Sequence, residues 1–349
     1  MSSILRRAVV LLSGGLDSLL AARVILDQGI YVEGLHFYTG FCVEGLTHAI
    51  RHPELGPPKK HSAQTAADQL GIRLHVIDIA QTYKEIVLHP RHGYGANLNP
   101  CIDCKTFMVR RALAWIQENE FDFLVTGEVV GQRPMSQKKE SLRLISHESG
   151  AEDRLLRPLS AKNLPVTLPE REGWVNRNNL YSFSGRSRKP QIALAAHYQI
   201  KDYAQPAGGC CFLTDATYSS KLADLWKFRG KRDYDLDDLF LLKVGRHLRP
   251  FQNFKLIIGR NEGENSFLEG YRKCFIHFRT VSCLGPLVLV DGTFENTIEL
   301  EIAARLVARF SKGKEEDIVT VECTYLDGSS VHLQVKPLAS EEIPQDWYL

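Results

Sequence analysis

Apolar runs and helical stretches alternate along the first third of the chain. An apolar run at residues 8–12 breaks at two glycines, and an apolar-periodic stretch then continues as far as Gly29. Further strands are predicted at 31–37, 74–79 and 121–127, with helices at 62–70 and 106–119 between them. Strands that alternate with helices are typical of a parallel sheet with right-handed crossovers. The pattern therefore predicts an α/β fold with a Rossmann-like parallel sheet, which binds ligands at the carboxyl ends of its strands.

The hydrophobic pattern changes after a break at residues 229–234. Short strands are predicted at 238–244, 255–259, 287–291, 318–325 and 330–335, and a helix at 297–310, capped by Asn296, interrupts them. Residues 157–180 are interpreted as a connector, and residues 40–60 as a mobile loop near the ligand site. We therefore predict an α/β domain at 1–230 and a smaller α+β domain at 231–349.

Composition indicates a globular protein that does not cross a membrane. The chain is 44% apolar and 24% charged, and no apolar run approaches the roughly 20 residues that span a bilayer. Its start lacks the apolar core of a signal peptide, so we expect a cytoplasmic protein. The net charge of +2 is uninformative. Basic residues nevertheless cluster at 132–143, 177–189 and 227–232, as phosphate-binding patches or as solvated loops.

The break after the first strand has the chemistry of an anion site. Gly14 and Gly15 let the backbone approach an anion, and the first amides of the following helix point at it. Ser13 and Ser18 add hydroxyl donors, and Asp17 is placed to hold a metal ion or the turn itself. The alternative is an ordinary strand-to-helix turn that is capped by Ser and Asp.

Two groups of cysteines indicate thiol or metal chemistry. Cys101 and Cys104 begin a predicted helix, whose N-terminus lowers the pKa of a thiol. Two such thiols can form a redox pair, half of a zinc site or part of an iron–sulfur site. With Cys210 as a third ligand, the three cysteines would bind three irons of a 4Fe–4S cluster and leave the fourth iron open for a sulfide. Alternatively, Cys210 and Cys211 are small buried apolar residues, and which of them is the third ligand stays open. Cys42 is a bystander or an extra thiol.

Several motifs resemble those of known enzymes. The hexapeptide Ser-Gly-Gly-Leu-Asp-Ser resembles the PP-loop of the ATP-pyrophosphatase superfamily and lacks the Gly-Lys-Ser/Thr ending of a Walker P-loop. Asn-Pro-Cys-Ile-Asp-Cys resembles the cysteine motif of the tRNA thiouridylases. Residues 127–137 resemble the Gly-Glu-x-x-Gly-Gln-x-x-Ser-Gln signature of the tRNA 4-thiouridine synthases, with one more residue between Gln132 and Ser136. The resemblance covers about residues 8–225.

The resemblance implies an adenine nucleotide alpha hydrolase-like PP-loop domain that splits ATP between its α and β phosphates. Such an enzyme adenylates a uracil carbonyl oxygen of tRNA and then inserts sulfur. The implied sites are Ser13, Gly14, Gly15, Asp17 and Ser18 for phosphates and Mg²⁺; His36, Phe37, Thr126, Gly127 and Gln132 for the rest of ATP; Cys101, Cys104, Cys210 and Asp17 for catalysis; and Arg133, Lys138, Lys139 and Arg260 for RNA. Sulfur would come from sulfide or a cysteine desulfurase, through the 4Fe–4S cluster or a persulfide. Whether the chain forms a homodimer stays open.

The second predicted domain offers an RNA-binding surface. Its Leu-Ile-Ile-Gly-Arg-Asn stretch resembles the RNA-binding domain of the NFACT proteins. We expect no counterpart in this sequence of the amino-terminal RNA-binding domain of the 4-thiouridine synthases. The resemblance implies phosphate contacts from Arg246, Arg249, Lys255, Arg260, Arg272 and Lys273. The alternative is a dimerisation module. Two other functions stay open: a PP-loop ligase that forms an amide or nitrile on a small molecule, and a non-catalytic RNA-binding or sulfur-trafficking protein.

Overall fold

A computed structural model describes residues 5–42, 62–203 and 211–349. The described residues fall into two compact units, residues 5–42 with 62–203 and 211–214, and residues 215–349. Cys210 and most of the predicted loop at 40–60 lie outside the described residues. Within the described ranges, every helix is too short or too polar to span a bilayer.

The first unit is built on a parallel sheet of five strands. They are β1 (Arg7–Leu11), β2 (Tyr31–Tyr38), β3 (Leu74–Asp78), β4 (Phe123–Val125) and β5 (Leu155–Leu156), in the order β3-β2-β1-β4-β5. Val10 of β1 pairs with Gly34 on one side and with Val125 on the other. The strand order reverses at β1, so the ligand crevice lies outside the carboxyl ends of β1 and β4. The predicted α/β fold with a parallel sheet is confirmed.

Helices cover this sheet and bury its apolar strands. They are Leu16–Leu26, Ser62–Leu70, Ala80–Leu88, Cys101–Glu118, Lys139–Ser149, Leu168–Arg171 and Lys189–His197. Ala8 and Val10 of β1, Leu20 of the first helix and Phe123 of β4 are all completely buried in one apolar core. Burial of a large apolar side chain contributes about 1.5–3 kcal/mol, so this core fixes the carboxyl edge of the sheet against the first helix.

The second unit contains an antiparallel sheet of six strands. They are β6 (Arg246–Phe251), β7 (Phe254–Ile258), β8 (Ile276–Thr280), β9 (Val288–Gly292), β10 (Val319–Thr324) and β11 (Ser330–Val335), in the order β11-β10-β8-β9-β7-β6. Its helices are Ala216–Arg229, Leu236–Leu241, Glu262–Glu269 and Thr297–Arg309. Leu256, Phe278 and Ala304 are completely buried between the sheet and its helices.

The structure confirms four of the predicted strands in this unit and corrects one. Residues 238–244 are predicted as a strand but belong mostly to the helix Leu236–Leu241. Asp235 accepts from the Asp238 amide at 2.9 Å, and Asp238 accepts from the Asp235 amide at 2.8 Å. This capping box satisfies the first amides of a helix and outweighs the apolar run. The predicted cap of the later helix is confirmed, because the Glu299 amide donates to Asn296 Oδ1 at 3.0 Å.

Candidate active site at the carboxyl edge of the parallel sheet

The glycine turn after β1 is shaped by short contacts that exclude larger residues. Gly14 has a φ of +78°, in the left-handed region, and a Cβ there would lie 2.1 Å from Ser62 Oγ. Gly15 directly precedes the helix Leu16–Leu26, and among the described residues no side chain caps that end. Ser18 Oγ donates to the Gly15 carbonyl at 2.9 Å. The turn therefore presents helix amides and two serine hydroxyls to the crevice.

Asp17 lies at the centre of a hydrogen-bond chain beside this turn. Gln132 Nε2 donates to Asp17 Oδ2 at 2.7 Å, and Gln191 Nε2 donates to Gln132 Oε1 at 2.9 Å. Arg188 lies 3.9 Å from the same carboxylate oxygen. The other oxygen, Oδ1, is buried without a hydrogen-bond partner among the described residues. A buried carboxylate oxygen with an unused lone pair is suited to a cation.

Burial also sets the protonation of Asp17. It raises the pKa of this carboxyl above its ordinary value, against the hydrogen bond from Gln132 and the guanidinium groups of Arg188 and Arg133. The ionised carboxylate therefore lowers the stability of the fold, because desolvation disfavours the charged form. A ligand cation would offset that cost.

Gly127 brings the end of β4 against the turn. A Cβ on Gly127 would lie 2.4 Å from the carbonyl carbon and oxygen of Asp17 and 2.5 Å from the Ser18 nitrogen. Beside it, Thr126 is 5% exposed, as is typical of an interior residue, and Phe37 of β2 is 6% exposed. The predicted adenosine-pocket residues thus come to one edge of the sheet, with Phe37 and Thr126 packed inside the unit.

A buried ion pair supports the loop that carries Gln132. Arg157 Nε lies 2.9 Å from Glu128 Oε2, and both side chains are buried. Thr126 Oγ1 donates to the same oxygen at 3.1 Å, and Arg157 also donates to Ser146 Oγ at 3.0 Å. Burial raises the pKa of Glu128, but Arg157 outweighs it and holds the pKa below its ordinary value. Arg157 therefore fixes the base of this loop.

Cys101 and Cys104 lie at the start of the helix Cys101–Glu118. Cys101 is buried, Cys104 is half-buried, and the Cys104 amide donates to the Pro100 carbonyl at 2.8 Å. Asp103 accepts from both the main-chain amide and Nδ1 of His92, each at 3.0 Å. This imidazole fixes the start of the helix, so the two thiols are held in a defined place.

The cysteine helix and the glycine turn are linked through two loops. A Cβ on Gly95 would lie 2.1 Å from Met135 Sδ, so the loop before Cys101 packs tightly on the loop that carries Gln132. The Gly95 amide donates to the Asn99 carbonyl at 2.8 Å, which joins this contact to the cysteine motif. Both predicted halves of the site therefore lie at the same edge of the sheet.

The third predicted cysteine, Cys210, lies outside the described residues, but the segment after it is placed. Phe212 donates its amide to the Phe41 carbonyl at 3.0 Å, and Asn97 Nδ2 donates to the Thr214 carbonyl at 2.8 Å. This segment, with Cys211, thus lies between the end of β2 and the loop before Cys101. Across the described ranges the cysteines form no disulfide, and no three His, Cys, Asp or Glu side chains are grouped to hold a metal ion.

The predicted RNA-binding residues differ in their surroundings. Lys138 and Lys139 are exposed, and Arg133 is half-buried beside Asp17. In the second unit, Arg260 pairs with the buried Glu264 at 2.5 Å and keeps 44% of its side chain exposed. The predicted phosphate contact from Lys255 is wrong, because the Lys255 side chain is 1% exposed and its ammonium group pairs with Asp291 at 3.1 Å. Arg249 is likewise held by Asp224 at 2.5 Å.

Sequence reasoning missed Arg188 and Gln191. Gln191 is completely buried and completes the hydrogen-bond chain to Asp17, although it lies 59 positions from Gln132. Arg188 directly precedes the helix Lys189–His197 and lies within the basic run at 177–189, whereas Gln191 lies inside the helix and beyond that run. The basic run is therefore a signal for Arg188 alone, and it does not say which of its residues turn inward.

The comparisons with known proteins agree with this arrangement. Residues 6–164 match the model of the tRNA methyl transferase HUP domain, and residues 245–348 match that of the NFACT protein RNA binding domain. The tRNA-specific 2-thiouridylase MnmA of Marinobacter nauticus is 26% identical over 224 residues, 62% of this chain and 53% of that protein. MnmA of Alkalilimnicola ehrlichii is 38% identical over 109 residues, 30% of this chain and 28% of that protein. The chain thus spans about half or less of the length of these curated relatives.

A solved 4-thiouridine synthetase in complex with RNA and ATP is 20% identical, with a TM-score of 0.33 over 56% of this chain and 52% of that chain. The resemblances to the tRNA thiouridylases and to the NFACT RNA-binding domain are confirmed by the other matches. Residues 6–164 of the first unit are therefore similar to the HUP domain of the tRNA methyl transferase family, and residues 245–348 of the second unit are similar to the RNA-binding domain of the NFACT proteins.

Proposed function

We propose that the chain is an ATP-dependent sulfurtransferase that replaces a carbonyl oxygen of a tRNA uridine with sulfur. One observation carries the proposal. A glycine turn with the half-buried carboxylate of Asp17, whose helix has no side-chain cap among the described residues, shares one edge of the parallel sheet with a helix that begins with two cysteines. The two are linked through the contact of Gly95 with Met135. The glycine turn suits the phosphates of a nucleotide, and the two cysteine thiols suit the transfer of sulfur.

The turn fits the phosphates of ATP. Gly14 and Gly15 leave room for a close backbone approach, and the free helix amides supply donors with the positive end of the helix dipole. Ser13 and Ser18 contribute hydroxyl groups on the same side. Asp17, with its unpartnered Oδ1, would hold Mg²⁺, which would neutralise phosphate charge. His36, Phe37, Thr126, Gly127 and Gln132 are proposed to surround the rest of the nucleotide.

In the proposed reaction a uracil carbonyl oxygen attacks the α-phosphorus, and the bond to the β-phosphate oxygen breaks. The helix amides at Gly15 and the guanidinium of Arg188 are positioned to stabilise charge on the departing pyrophosphate. The uracil oxygen is then bound to AMP, a good leaving group. A sulfur nucleophile attacks the uracil carbon that bears this oxygen, and AMP departs with the oxygen.

Sulfur is proposed to arrive at Cys101 and Cys104. One of the two thiols would carry the sulfur as a persulfide, whose outer sulfur attacks the adenylated carbon. The other thiol is near enough in the chain to attack the inner sulfur, which releases the thiolated uridine and forms a disulfide between the two cysteines. In the alternative route, Cys101, Cys104 and Cys210 would hold a 4Fe–4S cluster, which would supply a sulfide from its open iron. Cys210 lies outside the described residues, and Cys211 is the other choice for the third position.

The RNA is proposed to be tRNA, bound by both units. The NFACT RNA-binding domain supplies a module for phosphate contact, with Arg260 at its Gly-Arg-Asn turn. Lys138 and Lys139 are exposed beside the loop that carries Gln132, where a substrate strand would approach the site. Lysine and arginine contacts of this kind position the RNA and do not read its sequence.

The test is a reconstituted reaction. The full chain is incubated with unmodified tRNA, MgATP and either sodium sulfide or a persulfide, and digested nucleosides are analysed by mass spectrometry. We expect a thiouridine, one AMP and one pyrophosphate per event, with loss of thiouridine in Cys104→Ser. ATP turnover with unchanged nucleosides, but with amidation of a small molecule, would instead favour a PP-loop ligase.

The two sulfur routes are separated by anaerobic purification. A cluster gives a brown protein with iron and sulfide in stoichiometric amounts, which Cys210→Ser abolishes and Cys211→Ser does not. A colourless protein that thiolates tRNA from a persulfide alone would remove the cluster and leave the thiol route.

A further inference from the structure

A cavity of about 400 Å³ lies in the first unit beside β5, at the edge of the parallel sheet, and the proposed reaction does not use it. The cavity is lined by the helix Lys139–Ser149, by β5 and by the segment around residues 164–170. Most of the lining is apolar and includes Leu142, Leu155, Leu156, Leu164 and Val166. A cavity of this size with an apolar lining and a few polar groups is typical of a site for a small organic group.

Hydrogen bonds hold the part of the lining that contains Thr167 in place. The amide and Oγ1 of Thr167 both donate to Glu170 Oε2 at 2.7 Å. Arg177 forms an ion pair with Glu170, and its Nη2 atom donates to the carbonyls of Ala161 and Leu164 at 2.8 and 3.0 Å. Because these groups are already paired, the cavity does not have to be assembled when a ligand arrives, and such preorganisation favours binding.

Arg157 adds hydrogen-bond donors to the apolar lining. This residue is 6% exposed and lines the cavity. Nε donates to Glu128 at 2.9 Å, Nη1 to Ser146 Oγ at 3.0 Å and Nη2 to the Leu142 carbonyl at 3.3 Å. Within the described residues these bonds use three of the five N–H donors of a guanidinium, and two remain. Buried donors without acceptors are costly, so a ligand with carbonyl or ring-nitrogen acceptors suits this lining.

Two cations of the helix Lys139–Ser149 also line the cavity. Lys139 and Arg143 are exposed and lie four positions apart, so they share one face of the helix. Neither forms an ion pair within the described residues. The acids of the lining are Glu140, Glu152 and Glu170, of which the last two pair with basic residues. The two cations therefore favour an anionic group next to the apolar lining.

We propose that this cavity binds an unpaired nucleotide of the RNA, with its base against the apolar lining and its phosphate at Lys139 and Arg143. The inference rests on the proposed function and names a contact of the tRNA apart from the uridine that reacts. A nucleobase is a flat body that apolar side chains enclose, and its edge carries acceptors for the donors of Arg157. Lys138 and Lys139 lie beside the loop that carries Gln132, so the cavity adjoins the proposed path of the RNA strand.

The experiment measures binding of the full chain to an unmodified tRNA transcript, without ATP or a sulfur donor. Val166→Trp is intended to fill the cavity, and Val166 is 45% exposed, so the larger side chain does not have to enter a closed core. We expect it to weaken tRNA binding about tenfold, the order of effect for the loss of one stacked base. Leu5→Trp is the matched control, because Leu5 is 62% exposed and lies outside the lining, and it should leave the affinity unchanged.

A second variant and a measurement without any variant complete the test. Arg143→Gln removes an exposed cation of the lining and should lower the slope of log affinity against log salt by about one. Ultraviolet cross-linking of the unmodified chain to the transcript, with peptide mapping, should join one nucleotide to residues 139–146 or 164–167. Cross-links that leave out both segments would overturn the proposal, as would unchanged tRNA binding in both Val166→Trp and Arg143→Gln.

Free mononucleotides distinguish the two sources of such a ligand. Saturation-transfer NMR is recorded with GMP, CMP and UMP. A signal that Val166→Trp removes, together with unchanged affinity of Val166→Trp for tRNA, would assign the cavity to a free nucleotide and overturn the contact with RNA. Weak mononucleotide signals with a tenfold loss of tRNA affinity would support that contact.

These readouts are independent of sulfur transfer. A chain that binds tRNA through the cavity and forms no thiouridine would refute the proposed function and leave the nucleotide site in place. Formation of thiouridine by a chain whose tRNA affinity is unchanged in Val166→Trp and Arg143→Gln would refute the site and leave the function in place.

Discussion

Gln132 Nε2 donates to Asp17 Oδ2 at 2.7 Å, and this hydrogen bond joins the loop after β4 to the glycine turn after β1. Gln132 is itself held by Gln191, which is completely buried. The chain of amides orients one oxygen of Asp17, and the other oxygen is buried without a hydrogen-bond partner among the described residues. A carboxylate that is desolvated before its ligand arrives costs stability, as is common at functional sites.

Asp17→Asn should stabilise the ligand-free chain and abolish ATP turnover. Burial raises the pKa of Asp17, so the ionised form costs stability once the pH rises through the folded-state pKa. An asparagine keeps an acceptor for Gln132 without the charge, and we expect a gain of about 0.5–2 kcal/mol in the free energy of unfolding. Thermal unfolding near neutral pH measures the gain, and AMP release measures the loss.

Asp153→Asn is the matched control for that substitution. Asp153 forms an exposed ion pair with Arg171, so its loss should cost no more than about 1 kcal/mol and leave ATP turnover unchanged. A lower unfolding temperature for Asp17→Asn than for the unmodified chain would contradict the argument from burial.

Gly127→Ala should disrupt the phosphate turn. The added Cβ would meet the backbone of Asp17 and Ser18 at 2.4–2.5 Å, and backbone atoms cannot rotate away as a side chain does. We expect a loss of about 1–3 kcal/mol in stability, the range for overpacked sites, and weaker binding of ATP. Calorimetric titration with a non-hydrolysable ATP analogue measures the affinity. Gly270→Ala, where the nearest atom is 3.4 Å away, should leave that affinity unchanged.

The glycine turn could be predicted from the sequence because all its parts are contiguous. A strand, two glycines and a helix specify where the backbone amides point, and Asp17 lies in the first turn of that helix. The contact of Gln191 with Gln132 could not be predicted, because it depends on how the helix Lys189–His197 packs on the helix Leu16–Leu26. Local periodicity gives the inward face of a helix only roughly, and it does not name the partner.

Apolar patterning also failed where polar capping decided the structure. Residues 238–244 are apolar enough for a strand, yet the reciprocal hydrogen bonds of Asp235 and Asp238 start a helix there. The resemblance to the NFACT RNA-binding domain implies a phosphate contact from Lys255. Lys255 is buried with Asp291, because every residue of β7 is enclosed between layers. Charge along a sequence does not say which charges meet solvent.

Arg157→Met should be strongly destabilising, because it leaves Glu128 buried without its partner. Loss of one member of a buried pair costs about 3–5 kcal/mol. Glu128→Gln combined with Arg157→Met removes both charges and should recover much of that loss. Urea unfolding at neutral pH measures the free energy of unfolding of the unmodified chain, of Arg157→Met and of the double variant.

The same pair gives a pH dependence with a definite sign. Arg157 holds the pKa of Glu128 below its ordinary value of 4.5, so the ionised carboxylate contributes stability above that value and loses it as the pH falls through the folded-state pKa. The stability difference between the unmodified chain and Glu128→Gln should be constant near neutral pH and shrink below about pH 4.5. A difference that grows on acidification would contradict the assignment.

Exposed and buried lysines of the second unit should behave in opposite ways. Lys273 is exposed, so Lys273→Gln should weaken RNA binding and lower the slope of log affinity against log salt by about one, with little change in stability. Lys255→Met removes a buried cation from Asp291, so it should cost about 3–5 kcal/mol in stability without changing that slope. Fluorescence anisotropy with tRNA over a salt series, together with thermal unfolding, separates the two effects. An equal loss of salt slope in Lys255→Met would mean that Lys255 reaches the RNA, and the buried pair with Asp291 would then have to open on binding.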